Sequence, residues 1–444
     1  MAKPVLVVIG TGWGGFTLTQ KVDLTKYDVK VISPIRTIQY TPLLASAACG
    51  LFNFRLAEEP VRRKHRTEMD YYKAIAEDID FEKQIVRCKT DAPTAGEDPI
   101  TFEVKYDKLC IAPGCDTQDF GTPGAKEHAL FLKTTNDARL IQQRILQMLD
   151  KASLPTTSEQ DQQDYLNIRI VGGGAIGIEA AAELWDLWFE DMRFLFPHLD
   201  GKVNITIHDV APKILSTFDA NLSEYATSSL QGKHVKIKTG SHIQSVEADA
   251  IFTKEDGRLP YGLLIWATGN KASSLVEKLP VKKPESGLPR ILTDKYLRVF
   301  HPDGSPMSDV YALGDAADIE GESLPTLAEV ALQKGEYLTS TLNSNADPVP
   351  FNYKQRALLA YLGRHDGIIG AVVSATGVLR ASVSGKTSLE GAGELRAVAS
   401  TDVEDLSTGL HRLRRGGRGG RRQEPEGKNK DLRRLEDHGG NGVE

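Results

Sequence analysis

The stretch Val5 to Gly15 reads VLVVIGTGWGG, a continuous apolar run that stops at Gly10-x-Gly12-x-x-Gly15. An unbroken run of branched apolar residues suits a parallel strand covered on both faces. The glycines let the chain turn tightly off that strand and bring backbone N–H groups close to a pyrophosphate. They also open a helix whose positive dipole end faces the phosphate charge. A glycine-rich turn of any α/β protein can carry such a triplet. Here it stands between a strand and a helix, with a second strand at Val29 to Ser33, which favours a dinucleotide site.

The same order returns at Ile168 to Gly177, IRIVGGGAIG. There Gly172-x-Gly174-x-x-Gly177 leads into a long helix bearing Ala180, Ala181, Ala182, Leu184, Leu187 and Trp188, then a strand from Val203 to His208. Two further strand-turn signals, YDKLCIAPG ending at Gly114 and GLLIWATG ending at Gly269, follow the respective units. VYALGDAA, Val310 to Ala317, then returns the chain to the first domain. The expected fold is therefore α/β: two Rossmann-type dinucleotide-binding domains, the second inserted in the first, plus a degenerate C-terminal region. The expected boundaries are 1–150 for the first part, 165–300 for the inserted domain and 301–345 for the return. A C-terminal domain starts over 346–375, and 376–444 is an unstructured tail. The polar run Ser153 to Asp164 reads as an exposed linker before the second unit.

Bulk properties agree with a soluble or peripheral enzyme. The chain has 444 residues, enough for two or three domains, with 40% hydrophobic and 26% charged residues. A net charge of −6 gives no global attraction to nucleic acid. The Arg-Gly stretch His411 to Arg422 reads as solvated chain, not an RNA site, and no aromatic residue follows Tyr361. Cys49, Cys88, Cys110 and Cys115 form no CxxC pair and suit small apolar core positions in a reducing compartment. No metal-ligand cluster is expected. No apolar run reaches membrane-spanning length, and no leader is expected before a strand that opens at Pro4.

The candidate binding residues follow from the motifs. In the first unit, Gly10, Gly12 and Gly15 would carry the pyrophosphate. Ser33 stands where a carboxylate usually holds the ribose. In the second unit, Gly172, Gly174 and Gly177 are joined by Asp209, whose carboxylate accepts ribose hydroxyls and repels a 2′-phosphate, pointing to NADH over NADPH. Glu179, read on the first turn of the second helix, either complements the dipole or faces the nicotinamide as the catalytic candidate. Gly314-Asp315, at a strand exit, either caps a helix or places a carboxylate on a flavin ribityl chain.

In order, GTGWGG, TPLL, YDKLCIAPG, GGGAIGIEAAAEL, WATG, VYALGDAA and LPTLAEVALQKGEYL resemble the type II (alternative, non-pumping) NADH:quinone oxidoreductases, particularly the fungal mitochondrial form, over residues 4–370. The resemblance implies FAD held by Gly10, Gly12, Gly15, Gly114, Gly314 and Asp315, with Tyr40, Thr41 and Pro42 lining the flavin. It implies NADH on the second fingerprint and Gly269, and a quinone channel along Glu329, Ala331 and Gln333. Where the family reads AQ-x-A-x-Q, this chain has Glu329 in place of the first glutamine. The resemblance further implies ubiquinone as acceptor and a peripheral place on the mitochondrial inner membrane, and it leaves room for a homodimer. The family's presequence and aromatic, amphipathic anchor are not visible in the sequence. Two alternatives stand beside this reading: a thiol or disulfide reductase using Cys49, and a truncated dinucleotide-binding protein without quinone reductase activity.

Overall fold

A computed structural model describes residues 2–62, 68–90, 98–216, 218, 220–355, 357–364, 366–371 and 382–384. The first fingerprint opens the larger sheet. Strand β1 (Val5–Ile9) turns into helix α1 (Trp13–Lys21), which returns to β2 (Asp28–Ile32). Short helix α2 (Leu44–Ala48) follows, then β3 (Met69–Tyr72). An antiparallel meander, β4 (Ile75–Asp80), β5 (Ile85–Lys89) and β6 (Thr101–Lys105), precedes β7 (Lys108–Ile111).

The chain leaves this domain through β8 (Cys115–Thr117) and enters a second sheet at β9 (Leu130–Phe131). Helix α3 (Thr135–Ala152) is opened by a capping box between Thr134 and Asp137. After it come helix α4 (Glu159–Tyr165), β10 (Asn167–Val171), helix α5 (Ala175–Leu187) and β11 (Asn204–Asp209). Helix α6 (Ala220–Gly232), β12 (Lys236–Thr239), a meander of β13 (Ile243–Val246), β14 (Ala250–Thr253) and β15 (Gly257–Pro260), and β16 (Leu263–Trp266) complete the domain. The sheet order β9-β16-β10-β11-β12 is parallel throughout.

The return passes through β17 (Asn270–Ala272), which pairs antiparallel with β8, so entry and exit run side by side. Strands β18 (Ile291–Thr293), β19 (Arg298–Phe300), β20 (Pro306–Ala312) and β21 (Ala317–Ile319) rejoin the first sheet, in the order β21-β18-β19-β20-β7-β1-β2-β3. Helix α7 (Ala328–Asn343) then packs on α1, and β22 (Ala357–Gly363), β23 (Asp366–Ala371) and β24 (Ser382–Ser384) form a separate antiparallel sheet.

The apolar run of β1 behaves as its composition demands. Val7 and Ile9 enter a core on one face of the sheet, with Leu109, Ile111 and Ala312. Leu6 and Val8 enter a second core on the other face, with Leu18, Val31 and Leu338. A strand with both faces buried has no polar side to alternate with. Each such side chain contributes roughly 1.5–3 kcal/mol of burial.

Three boundaries differ from the sequence reading. By sheet membership the inserted domain begins near β9, inside the expected 1–150 segment, and ends near β16, because β18 and β19 belong to the first sheet rather than to 165–300. The supposed linker at Ser153 to Asp164 contains α4. Ser158 accepts the Asp161 N–H, and Glu159 and Asp161 occupy its first turn, an N-terminal signature hidden by the polarity of the stretch. Ser382–Ser384 pairs with β23 inside the segment expected to be unstructured, while the rest of 376–444 lies outside the described residues. Among the described residues, no helix is long and apolar enough to cross a membrane.

Candidate dinucleotide and acceptor sites

Both fingerprints solve the same steric problem. Gly10 (φ +94°) and Gly172 (φ +115°) leave their strands in the left-handed region, and a Cβ on either would collide with a carbonyl, of Ala112 or Ala267 respectively. A Cβ on Gly15 or Gly177 would strike the oxygen of Gly10 or Gly172, so each helix start lies directly against its own turn. The middle glycines differ. Gly12 and Gly174 have nothing within 4 Å of an added Cβ. They are also the N-caps of α1 and α5, and neither makes a side-chain capping bond. Tight turn, close packing and an open backbone approach at an uncapped helix start are what a pyrophosphate needs. Both cradles fit dinucleotides.

Around the first cradle the structure gathers separate stretches. Trp13, inside the fingerprint, packs edge-on against Tyr40 at 5.7 Å and donates to the Thr41 hydroxyl at 3.3 Å. Tyr40 in turn donates to Glu59 at 2.7 Å, and Thr41 and Pro42 are exposed. Gly114 (φ +74°) has open space where a side chain would stand. Asp315 is partly exposed in the turn Gly314–Ala316 and accepts from the Cys115 thiol at 3.3 Å. Ser33 is placed differently from the ribose role read in the sequence. It is 3% exposed, and its hydroxyl is engaged with the Thr11 hydroxyl at 2.9 Å and the Ile35 carbonyl at 3.1 Å, so it braces the loop.

In the second domain, Asp209 ends β11 with both carboxylate oxygens held by backbone. Oδ2 accepts from Gly173 at 2.5 Å and Oδ1 from Ala211 at 2.7 Å. The carboxylate is thereby fixed beside the fingerprint, with lone pairs left over for ligand hydroxyls. Gly269 is exposed, with nothing within 4 Å of an added Cβ.

Glu179 is the fifth residue of α5, hence in its second turn rather than the first, and is partly buried under β22. The Tyr361 N–H donates to its Oε1 at 3.5 Å. Burial pushes its carboxyl up to about 7, the Tyr361 N–H opposes, and Glu183 adds to the rise. Across pH 4.5 to 7 the native state thus holds a proton that the unfolded chain has released, so stability falls as pH rises through that window. Glu179→Gln should remove that fall, a difference of roughly 1–3 kcal/mol between pH 5 and 8. Thermal melts of the two FAD-loaded proteins at several pH values check it, and parallel profiles would assign the shift elsewhere.

Several long-range partners were not visible as motifs. Ser46 of α2 donates to Glu183 of α5 at 2.6 Å, a buried bond between the first domain and the inserted one. Asp186 accepts from the Tyr361 hydroxyl at 2.5 Å and from the Arg364 N–H at 3.0 Å. Asp366 accepts from Tyr225 at 2.9 Å and Ser229 at 2.6 Å, so β22 and β23 are docked on the inserted domain. Cys49 lies in the same region, buried. Its thiol is pushed well above its ordinary value by burial, then by Glu183 and Asp186. A redox thiol needs the opposite, a stabilised thiolate.

Helix α7 packs against both the first turn of α1 and the turn at Gly314. Its Ala331 carbonyl lies 3.1 Å from where a Gly14 Cβ would be, and Ala331 Cβ lies 3.8 Å from the corresponding Gly314 position. Ala331 is therefore buried packing between helix and loops, not an exposed channel wall. Gln333 is more committed than its sequence role suggested. Its amide donates to Glu329 at 3.0 Å and to the Lys354 carbonyl at 2.9 Å, and accepts from the Lys354 N–H at 3.1 Å.

Two fingerprints, each leaving a strand with parallel neighbours, with entry and exit strands side by side and an Asp-bearing turn, define a flavoprotein class that passes hydride between two dinucleotides. The model of the pyridine nucleotide-disulphide oxidoreductases matches residues 4–335. A probable NADH dehydrogenase of Dictyostelium discoideum is 37% identical over 371 residues, covering 82% of this chain and 80% of that protein. An internal alternative NAD(P)H-ubiquinone oxidoreductase A1 from mitochondria of Solanum tuberosum is 34% identical, covering 83% and 77%. The fold of NDH2 from Plasmodium falciparum, solved in complex with NADH, superposes with a TM-score of 0.80 at 22% identity, covering 95% of this chain and 99% of that one. The chain belongs to the pyridine nucleotide-disulphide oxidoreductase family, in its type II alternative NADH dehydrogenase branch. FAD and NADH are its cofactors.

Proposed function

We propose that the protein oxidises NADH on the second fingerprint, takes the electrons through FAD on the first, and delivers them to a quinone beside α7, without pumping protons. FAD supplies the two-electron chemistry. The chain supplies placement: Gly10, Gly12, Gly15, Gly114 and Asp315 for FAD, and Gly172, Gly174, Gly177, Asp209 and Gly269 for NADH. Glu179, on the helix that opens at the second fingerprint, holds a proton up to about pH 7. The observation that carries the acceptor assignment is the packing of α7 against the first turn of α1 at Gly14 and against the turn at Gly314. A thiol reductase would need Cys49 as thiolate, which its burial between carboxylates opposes. Ubiquinone, peripheral attachment to the mitochondrial inner membrane and a homodimer extend this reading. They rest on the resemblance and on relatives named as mitochondrial ubiquinone oxidoreductases. Vesicle flotation and light scattering test the attachment and the dimer.

Glu329→Leu and Gln333→Leu test the acceptor role. If this face meets the quinone, stopped-flow bleaching of the flavin by NADH should stay within about twofold of the unmutated protein. Reoxidation by a short-chain quinone should slow roughly tenfold or more, equivalent to about 1.4 kcal/mol of lost interaction. Equal slowing of both halves would make the face structural.

A further inference from the structure

Behind the turn that carries Asp315 lies a group of buried charges to which the binding motifs assign no role. Lys334, on α7 one turn beyond Ala331, is 0% exposed, and its ammonium donates to the Ala317 carbonyl at 3.3 Å. Arg290, just before β18, is 7% exposed and grips four backbone carbonyls. Nε donates to Asp315 O at 3.1 Å. Nη2 donates to Ala317 O at 2.7 Å and Gly314 O at 3.5 Å, and Nη1 to Leu324 O at 3.1 Å. The carboxylate in contact is Asp318, 8% exposed, which accepts from Arg290 Nη1 at 3.0 Å and from Ser323 and the Leu324 N–H at 3.1 Å. Two buried cations thus share one buried anion. Burying a charge without its own counterion is costly, so such an arrangement calls for a reason beyond stability.

The direction of the carbonyls supplies one. In a trans peptide the C=O of one residue and the N–H of the next point opposite ways. With the oxygens of Gly314 and Asp315 turned to Arg290, the N–H groups of Asp315 and Ala316 point away from it. The turn therefore presents positive dipole ends forward and has two cations at its back.

Resting on the reading that this turn holds the flavin, we propose that Arg290 and Lys334 are positioning residues for FAD. They aim the peptide dipoles of Gly314–Ala316 at the ring and add positive potential that favours its reduced form. Hydride transfer breaks a nicotinamide C–H bond and forms a flavin N–H bond, which leaves the nicotinamide one charge more positive and the flavin one charge more negative. A buried, weakly screened cation behind the turn would stabilise that product. The groups facing Lys334 are Arg290 from the segment before β18, Asp318 from β21, Asp315 from the turn and Glu322 from the loop after β21. Burial, and next Arg290, lower its ammonium to about 8, while the three carboxylates oppose. The cation therefore discharges near that pH, and by reciprocity flavin reduction strengthens its hold on the proton.

The test is the midpoint potential of the FAD-loaded full chain, read by spectroelectrochemistry against pH, for the unmutated protein and Lys334→Met. Near pH 6.5 the variant should favour oxidised flavin by tenfold or more, a drop of about 30 mV for a two-electron couple. Near pH 9.5, where Lys334 is discharged, the two potentials should converge. FAD-loaded Lys334→Met with an unchanged potential near pH 6.5 overturns the proposal. Should Lys334→Met lose FAD or its fold, the unmutated protein decides. A potential that bends near pH 8 supports the proposal, and one that runs straight through that region overturns it. Asp315→Asn separates the underlying assignment. FAD held with unchanged affinity and potential in that variant removes the turn from the flavin site, whatever Lys334 does.

Discussion

Gly10→Ala protein should emerge nearly colourless, with FAD content reduced at least tenfold, and its apoprotein should melt earlier than the unmutated apoprotein. The added methyl would collide with the Ala112 carbonyl oxygen, lie 2.7 Å from its carbon and 3.0 Å from Pro113 Cα, all of them backbone. Neither neighbour can swing aside, since Ala112 continues β7, the strand that pairs with β1. The φ of +94° adds a conformational penalty of roughly 1–3 kcal/mol for a residue with a side chain. Gly12→Ala is the informative partner. Its methyl meets nothing within 4 Å and its φ of −69° suits any residue, so the apoprotein should melt as the unmutated one does. FAD should still be lost, because the methyl stands where a pyrophosphate approaches the start of α1. Absorbance at the flavin band against total protein, with melts of both apoproteins, reads the two effects separately. A Gly12→Ala protein as yellow as the unmutated one would remove the pyrophosphate from this turn.

The contrast between Gly10 and Gly12 explains what the sequence makes legible. Gly10, Gly15, Gly172 and Gly177 answer the backbone that crowds them, whereas Gly12 and Gly174 leave the approach to a helix start open, and the fixed spacing of the triplet carries both demands. The double Rossmann plan, the Asp209 position and the alternation of α and β follow from such local rules. The failures are of another kind. Ser33 is spent on Thr11, and Gln333 on the Lys354 backbone, partners whose proximity depends on how loops close. The covering of Glu179 by Tyr361 depends on a strand 182 residues further along the chain. Arg290 lies in no recognisable motif, because a guanidinium that holds carbonyls imposes no residue type on its partners. The strands of the meander β4–β6 mix charged and apolar positions, as half-exposed antiparallel strands do, and so offer no unbroken apolar run to read.

NADH should be used about a hundredfold better than NADPH, measured as kcat/KM with a short-chain quinone in excess, and Asp209→Ser should close most of that gap. The carboxylate cannot rotate away from an incoming 2′-phosphate, since its oxygens are tied to the N–H groups of Gly173 and Ala211. A Cβ on Gly173 would lie 2.8 Å from Asp209 Oδ2, so the fingerprint backbone leaves no slack on that side. Like charges held a few ångströms apart in a poorly screened crevice cost roughly 2–3 kcal/mol, which is about two powers of ten in rate. The substitution acts on both cofactors, in opposite directions. NADH loses the acceptor for its ribose hydroxyls and should fall roughly tenfold. NADPH sheds the repulsion and should rise, helped by Lys213, an exposed cation that pairs at 3.6 Å with Glu224, itself exposed. Opposite movement is the signature of the carboxylate's role. A parallel loss with both cofactors would mean that Asp209 only braces the turn, and equal use of NADH and NADPH by the unmutated protein would remove it from the ribose altogether.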